Sequence, residues 1–136
     1  MSNIDDALKA IKDDYEIAGM LWMQGETDTI RNNMAEGYRK NLEELISIMR
    51  ERFKKPEMPV VIGRITTELL KSKKYKWPFT TTVQAAQDAV GENDPHAYTI
   101  HSDDLSLRPD FTHFDVPGQM ELGRRFGRAM LKGMKL

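Results

Sequence analysis

Apolar residues along this chain fall into two arrangements, short unbroken runs and stripes that recur every three or four positions. The runs are Ile17-Ala18-Gly19-Met20-Leu21-Trp22-Met23, then Val60-Val61-Ile62-Gly63-Arg64-Ile65, then Ala97-Tyr98-Thr99-Ile100. Unbroken runs of this length suit parallel strands buried on both faces, where helices cover the sheet on either side. The longest stripe is Met34, Tyr38, Leu42, Leu45, Ile46, Met49 and Phe53, one face of an amphipathic helix over residues 30–53. Asp28 or Thr29 can cap its start, while Pro56 and Pro59 prevent its continuation.

Three further helices are predicted. Ala7, Leu8 and Ile11 make a narrow stripe behind a cap at Asn3 or Asp5. Val83, Ala86 and Val90 point inward from a helix over residues 81–90, which ends near the turn signal Asn93-Asp94-Pro95. Asp115 caps the last helix, with Pro117 in its first turn and Leu122, Phe126, Ala129 and Met130 inward. On that helix Gly123 and Gly127 predict close approach to a neighbour, despite costing about 1 kcal/mol each in propensity. Residues 66–78 read as a polar connection and residues 102–114 as a loop.

The order helix, strand, helix, strand, helix, strand, helix implies an α/β fold with right-handed crossovers and a mostly parallel sheet. At 136 residues, a single domain over residues 1–136 is expected. Hydrophobic content of 40% and charged content of 30% describe a soluble globular chain. Lysine and arginine (20) nearly balance aspartate and glutamate (21), which argues for neither nucleic acid nor an anionic membrane as partner. Lys71, Lys73, Lys74 and Lys76 form a basic stretch, read as a solvated loop because no neighbouring segment is basic. The absence of cysteine excludes disulfides, thiolate metal sites and a cysteine nucleophile. Met1-Ser2-Asn3-Ile4-Asp5-Asp6 shows no signal peptide, and no apolar stretch reaches the roughly 20 residues that span a bilayer.

Open parallel sheets bind ligands beyond the carboxyl ends of their strands. Gln24, Gly25 and Glu26 lie there after the first run, Arg64 near the end of the second, and Asp103, Asp104, Asp110 and His113 after the third. His113 can act as a general base, and Asp110 can accept its ring N–H and hold the tautomer. A histidine that merely bonds near a helix start is the competing reading of Asp-x-x-His. Gln24 and Gly25 can supply an amide and a backbone N–H to an oxyanion, or simply form a strand-to-helix turn. Trp22 and Trp77 read as packing residues, although Trp77, beside Pro78, and Arg64 could rim a cleft. His96 and His101 read as strand-end residues without a role. Helix-spaced metal ligands are lacking, so a metal site is not expected.

Trp22-Met23-Gln24-Gly25-Glu26-Thr27-Asp28, Val61-Ile62-Gly63, Val83-Gln84-Ala85-Ala86-Gln87 and the segment from Asp110 through His113-Phe114-Asp115 to Gly118-Gln119-Met120-Glu121-Leu122-Gly123 together resemble one family. It is the sialate O-acetylesterase-like group, the carbohydrate esterase family 6 branch of the SGNH hydrolases. The resemblance implies a three-layer, flavodoxin-like fold and hydrolysis of acetyl esters on sugars. It also implies His113 as base, Asp110 as its partner, and a site lined by Gln24, Gly25 and Glu26, with Gln24 donating to the oxyanion and neither a metal nor an organic cofactor taking part.

Members of that group carry a nucleophilic serine in a Gly-x-Ser-Asn block after a first strand, upstream of the Trp-x-Gln-Gly-Glu segment. That strand and block are absent here. Ser2-Asn3 echoes the block without a preceding strand, and Ser47, Ser72, Ser102 and Ser106 lack its context. An esterase without its nucleophile, weakly active or inactive alone, is therefore expected. So is an exposed edge on the strand from residue 18 to residue 23, open to a second copy or to a partner fragment. A non-catalytic carbohydrate-binding or assembly module is the alternative, and an unrelated flavodoxin-like binding domain would hold Asp110 and His113 apart.

Overall fold

The computed structural model describes residues 2–11, 15–74 and 76–135. Strands β1 (Met20–Met23), β2 (Val60–Gly63) and β3 (Ala97–Ile100) form one parallel sheet in the order β1-β2-β3. Four helices accompany them: α1 (Ser2–Ala10), α2 (Asn32–Arg52), α3 (Thr80–Asn93) and α4 (Val116–Gly133). The alternation of helix and strand predicted from the apolar pattern is therefore present.

Side chains on a strand alternate between faces, and β2 sorts them accordingly. Val60 and Ile62 meet Ala35, Tyr38, Leu42 and Ile46 of α2 and Val83 and Val90 of α3. Val61, on the other face, packs with Leu122 and Phe126 of α4 and with Leu105 and Phe114. The sheet thus lies between α2 and α3 on one side and α4 on the other. All three β2 valine and isoleucine side chains are fully buried, as a continuous apolar run in a central strand requires.

β1 departs from the expected burial. The strand begins at Met20 rather than Ile17, and Leu21 remains 57% exposed. Among the described residues it lies at the sheet edge, with β2 as its one strand neighbour, and α4 packs chiefly over β2 and β3. Gly123 and Gly127 also differ from expectation: a Cβ on either would meet nothing within 4 Å. Instead of admitting a neighbour, they border an open groove of about 510 Å³ that Ile17, Ala18, Leu21, Phe126 and Met130 complete.

Helix boundaries shift for local reasons. Asp28 and Thr29 do not cap α2; they lie in a 3-10 turn, Thr27–Ile30, and α2 follows Arg31, an extended residue with no side-chain cap. Thr29 turns back on Glu26, whose carbonyl takes both its N–H (3.1 Å) and its hydroxyl (2.8 Å). The connection over residues 66–78 contains a second 3-10 turn, Thr67–Lys71, that buries Leu69. α3 outruns its predicted span at both ends, and Asp94 becomes its final cap residue. Asp115 caps α4 as predicted, accepting the N–H of Gly118 at 2.9 Å.

At the amino edge of the sheet Arg50 clamps Asp94 with two hydrogen bonds of 2.6 and 3.2 Å. Burial pushes the Asp94 carboxyl up, but Arg50 and the His96 N–H outweigh it and hold it below the usual value. A carboxylate depressed by folding stabilises the protein above its unfolded value and loses that contribution as pH falls through its folded one. Melting temperature should therefore drop as pH falls below about 4, and Asp94→Asn should flatten that decline. Thermal melts at about pH 7 and about pH 3 check this; equal slopes in both proteins would contradict it.

Candidate active site

The segment between β3 and α4 closes on itself. Leu107 and Phe114 pair as an antiparallel bridge, the Arg108 N–H donates to the His113 carbonyl at 2.8 Å, and the Phe111 N–H donates to that of Arg108 at 3.0 Å. Phe111 takes a left-handed φ of 58° to complete the turn. Asp110 organises the interior of this turn. Its Oδ1 accepts the N–H groups of Thr112 and His113, each at 3.0 Å, and its Oδ2 lies 2.8 Å from His113 Nδ1.

Three donors on one carboxylate fix the protonation pattern. The His113 N–H, the His113 ring and the Thr112 N–H hold Asp110 well below the usual carboxylate range. An ionised Asp110 can only accept, so in the neutral tautomer of the ring Nδ1 carries the proton and Nε2 presents its lone pair. The His113 side chain is 69% exposed, and Nε2 has no hydrogen-bond partner among the described residues. The helix start is capped by Asp115, and Gln119 Nε2 bonds the Phe114 carbonyl there, so His113 serves no capping purpose.

The second segment follows β1. Gly25 has φ +151°, and a Cβ there would lie 3.0 Å from Val83 Cγ1 and 3.1 Å from Ile65 Cγ2, so only glycine fits without strain. The Asp28 N–H closes the turn on the Gly25 carbonyl at 3.1 Å. The Gln24 carbonyl accepts from Tyr38 Oη at 2.6 Å and from Gln87 Nε2 at 3.0 Å. The Gln24 side-chain Nε2 donates to Asp28 Oδ2 at 2.6 Å, which orients the amide and leaves one further N–H on that nitrogen. Burial raises the Tyr38 phenol above its usual value. Glu26 is half-buried at the head of the 3-10 turn.

Met23, Gly63 and Ile100 stand level in the sheet, so both segments leave from its carboxyl edge, with β2 between them. No hydrogen bond joins Gln24, Gly25 or Glu26 to Asp110 or His113 among the described residues. Arg64 is committed elsewhere: its guanidinium bonds Asp88 at 3.0 Å and Asp103 at 2.7 Å, tying β2 to α3 and to the segment between β3 and α4. Burial would raise Asp103, yet the Thr67 N–H at 2.6 Å, the Thr67 hydroxyl and Arg64 lower it on balance. Trp77 packs against the cluster between α2, α3 and the sheet, its carbonyl accepting the Thr80 hydroxyl at 2.7 Å.

Four of the five serines are accounted for by other contacts or by position. Ser102 is fully buried, and its hydroxyl donates to the Arg64 carbonyl at 2.7 Å. The Ser106 hydroxyl bonds the capping carboxylate of Asp115. Ser47 lies on α2 beside Arg50 and Asp94, at the opposite edge of the sheet, and Ser72 ends the second 3-10 turn. Ser2 opens α1, and its side chain lies outside the described residues. Among the described residues no serine hydroxyl bonds His113. Among the described residues no group of three potential metal ligands gathers, and no helix is long and apolar enough to cross a membrane.

Periodicity alone missed the residues that hold the Gln24 turn. Tyr38 reads as one more member of an apolar stripe, and only its hydroxyl, which spacing ignores, signals the polar contact. Gln84 and Gln87 interrupt the inward face of α3, and a pair of amides at that spacing on a buried face was the available clue.

A model of the family described as carbohydrate esterase, sialic acid-specific acetylesterase matches residues 1–132. A protein of Arabidopsis thaliana, named a probable carbohydrate esterase, is 27% identical over 116 residues, which is 85% of this chain and 41% of the relative. A crystal structure of that Arabidopsis protein superposes with a TM-score of 0.78 at 26% identity, covering 95% of this chain and 50% of the solved one. The chain thus spans half or less of the length of these relatives and shares their fold over that span.

Proposed function

This chain belongs to the carbohydrate esterase family of sialic acid-specific acetylesterases, and on that premise we propose that it carries the general base of a hydrolase for O-acetyl esters of carbohydrates. The supporting observation is the 2.8 Å contact between Asp110 Oδ2 and His113 Nδ1, with Nε2 left open. In this reading Nε2 takes the proton of a nucleophilic hydroxyl as its oxygen attacks the acetyl carbonyl. Asp110 stabilises the imidazolium that results. The further N–H of Gln24 Nε2 and the N–H of Gly25 donate to the oxyanion, each such donor being worth about 2.7–4 kcal/mol. Asp28 aims the amide, although its own charge opposes the oxyanion. The imidazolium then protonates the departing sugar oxygen, and water repeats the cycle to release acetate. A base geometry of this kind favours a hydrolase over a non-catalytic binding module.

The nucleophile must come from outside the residues described. We propose that it arrives beside a strand added to the free edge of β1, from a second polypeptide segment. The groove there is apolar, and a bare edge presents unpaired N–H and C=O groups that an extended segment satisfies. Gly123 and Gly127 leave room for it against α4. Alone, the chain should neither hydrolyse p-nitrophenyl acetate above background nor react with a fluorophosphonate probe. Mixed with the portion of the Arabidopsis relative that it does not match, it should form a complex by light scattering and react. Turnover by the isolated chain that His113→Ala abolishes would overturn the proposed external nucleophile. Dimerisation without any gain on mixing would assign the edge to a second copy instead.

A further inference from the structure

Gln87 has no exposed surface at all, yet the chemistry above leaves it unused. An amide removed from water must replace the partners of one carbonyl and two N–H groups, or the burial is costly. Gln87 finds them where the strands end. Its Oε1 accepts the N–H of Ile65, just beyond β2, at 2.9 Å. Its Nε2 donates to the carbonyl of Gln24, just beyond β1, at 3.0 Å and lies 3.2 Å from Tyr38 Oη. Gln84, one turn earlier on α3, donates to the Ile65 carbonyl at 2.8 Å and makes no bond to Gln24. The side-chain amide of Gln87 thus stands in for a peptide group and bridges two strand ends.

The consequence lies in one peptide bond. The carbonyl of Gln24 and the N–H of Gly25 belong to the same planar, trans unit, so they point in opposite directions. Two donors, Tyr38 Oη and Gln87 Nε2, pull that carbonyl inward between α2 and α3. The Gly25 N–H must then face away from them. Gly25 cannot relax by side-chain adjustment, because even its missing Cβ position lies 3.2 Å from Gln87 Nε2. The Trp22 indole N–H, donating to Tyr38 Oη at 3.1 Å, completes the phenol's role as relay.

We infer that Gln87 is a positioning residue for the oxyanion turn: by holding the Gln24 carbonyl it sets the direction of the Gly25 N–H. This rests on the esterase reading for its catalytic meaning, but its geometric content is independent of activity. The test uses the whole chain labelled with ¹⁵N. Gln87→Met keeps the side chain's length and apolar packing while removing both donors and the acceptor. It should move the Gly25 amide and the Gln24 side-chain amide resonances and speed hydrogen exchange at Gly25. Gln84→Met, which breaks the neighbouring tie to Ile65 and a longer one to Thr67 Oγ1 at 3.5 Å, should leave both in place while perturbing residues 65–67. If Gln87→Met does not fold, Tyr38→Phe removes the other donor to the same carbonyl and should displace the Gly25 amide in the same direction by less.

In the complex supplied with a nucleophile, Gln87→Met should lower kcat on the order of 100-fold with KM nearly unchanged, whereas Gln84→Met should not. Unmoved Gly25 and Gln24 resonances in a folded Gln87→Met protein would overturn the inference. Moved resonances with no esterase activity in any complex would uphold the positioning and sink the esterase reading instead.

Discussion

Alanine at His113 should lower acetyl-ester turnover by on the order of 10⁴–10⁶-fold, measured in the chain supplied with the unmatched portion of the Arabidopsis relative. The size of the effect follows from the proposed role. Without a base the nucleophilic hydroxyl keeps its proton and attacks poorly, and only binding and the oxyanion donors continue to contribute. KM should change little, because the imidazole acts on the reacting proton rather than on the sugar. Asp110→Asn separates geometry from protonation. An asparagine oxygen can still accept the Thr112 and His113 N–H groups that shape the turn. Its amide nitrogen would donate to Nδ1, forcing the proton to Nε2 and leaving no lone pair there, with a loss on the order of 10⁴-fold. A loss of under tenfold in either variant, with the fold intact by circular dichroism, would remove His113 and Asp110 from the mechanism.

Gly118→Ala should produce the largest loss of stability for the smallest chemical change. Gly118 is buried in the first turn of α4, and a Cβ there would lie 2.1 Å from the Ser106 carbonyl oxygen. That atom belongs to the backbone and accepts the Asp115 N–H at 3.3 Å, so it cannot swing aside as a flexible side chain could. Relief requires the β3–α4 loop to lift from the helix, and the Asp115 cap is disturbed with it. Overpacking costs about 1–3 kcal/mol and cap loss about 0.5–2 kcal/mol, together a fall in melting temperature of roughly 5–20 °C for a domain of this size. Gly123→Ala is the control on the same helix. It meets nothing within 4 Å, and better helix propensity should raise the melting temperature by a few degrees. Calorimetry on the two variants decides the matter, and an unchanged transition for Gly118→Ala would show that the loop is not seated as described.

Much of the fold was legible because its determinants are local. Strand β2 could be read from Val60-Val61-Ile62, since an unbroken apolar run is compatible only with cover on both faces. The stripe through Tyr38, Leu42 and Ile46 identified α2, and Asp115 identified the start of α4, because helix period and capping act within four residues. β1 misled for a related reason: its run has the same composition as a central strand's, but whether Leu21 is covered depends on neighbours that the run does not contain. Gly123 and Gly127 misled likewise, since a glycine's empty space can face a partner or a groove.

Sequence by itself determined the α/β order, because helix and strand periods act over a few residues, and its motifs carried the resemblance to the family. That resemblance implied the pairing of Asp110 with His113, and the tight turn between them brings Oδ2 within 2.8 Å of Nδ1. Only the tertiary structure decided what holds the opposite side of the site. Gln87 meets Gln24 across 63 residues and Arg64 meets Asp103 across 39, contacts that follow from how α3 and the β3–α4 loop pack on the sheet. Buried amides have no periodic signature; their partners are set by the need to satisfy every polar group in the interior, and that need takes shape only after the layers have closed.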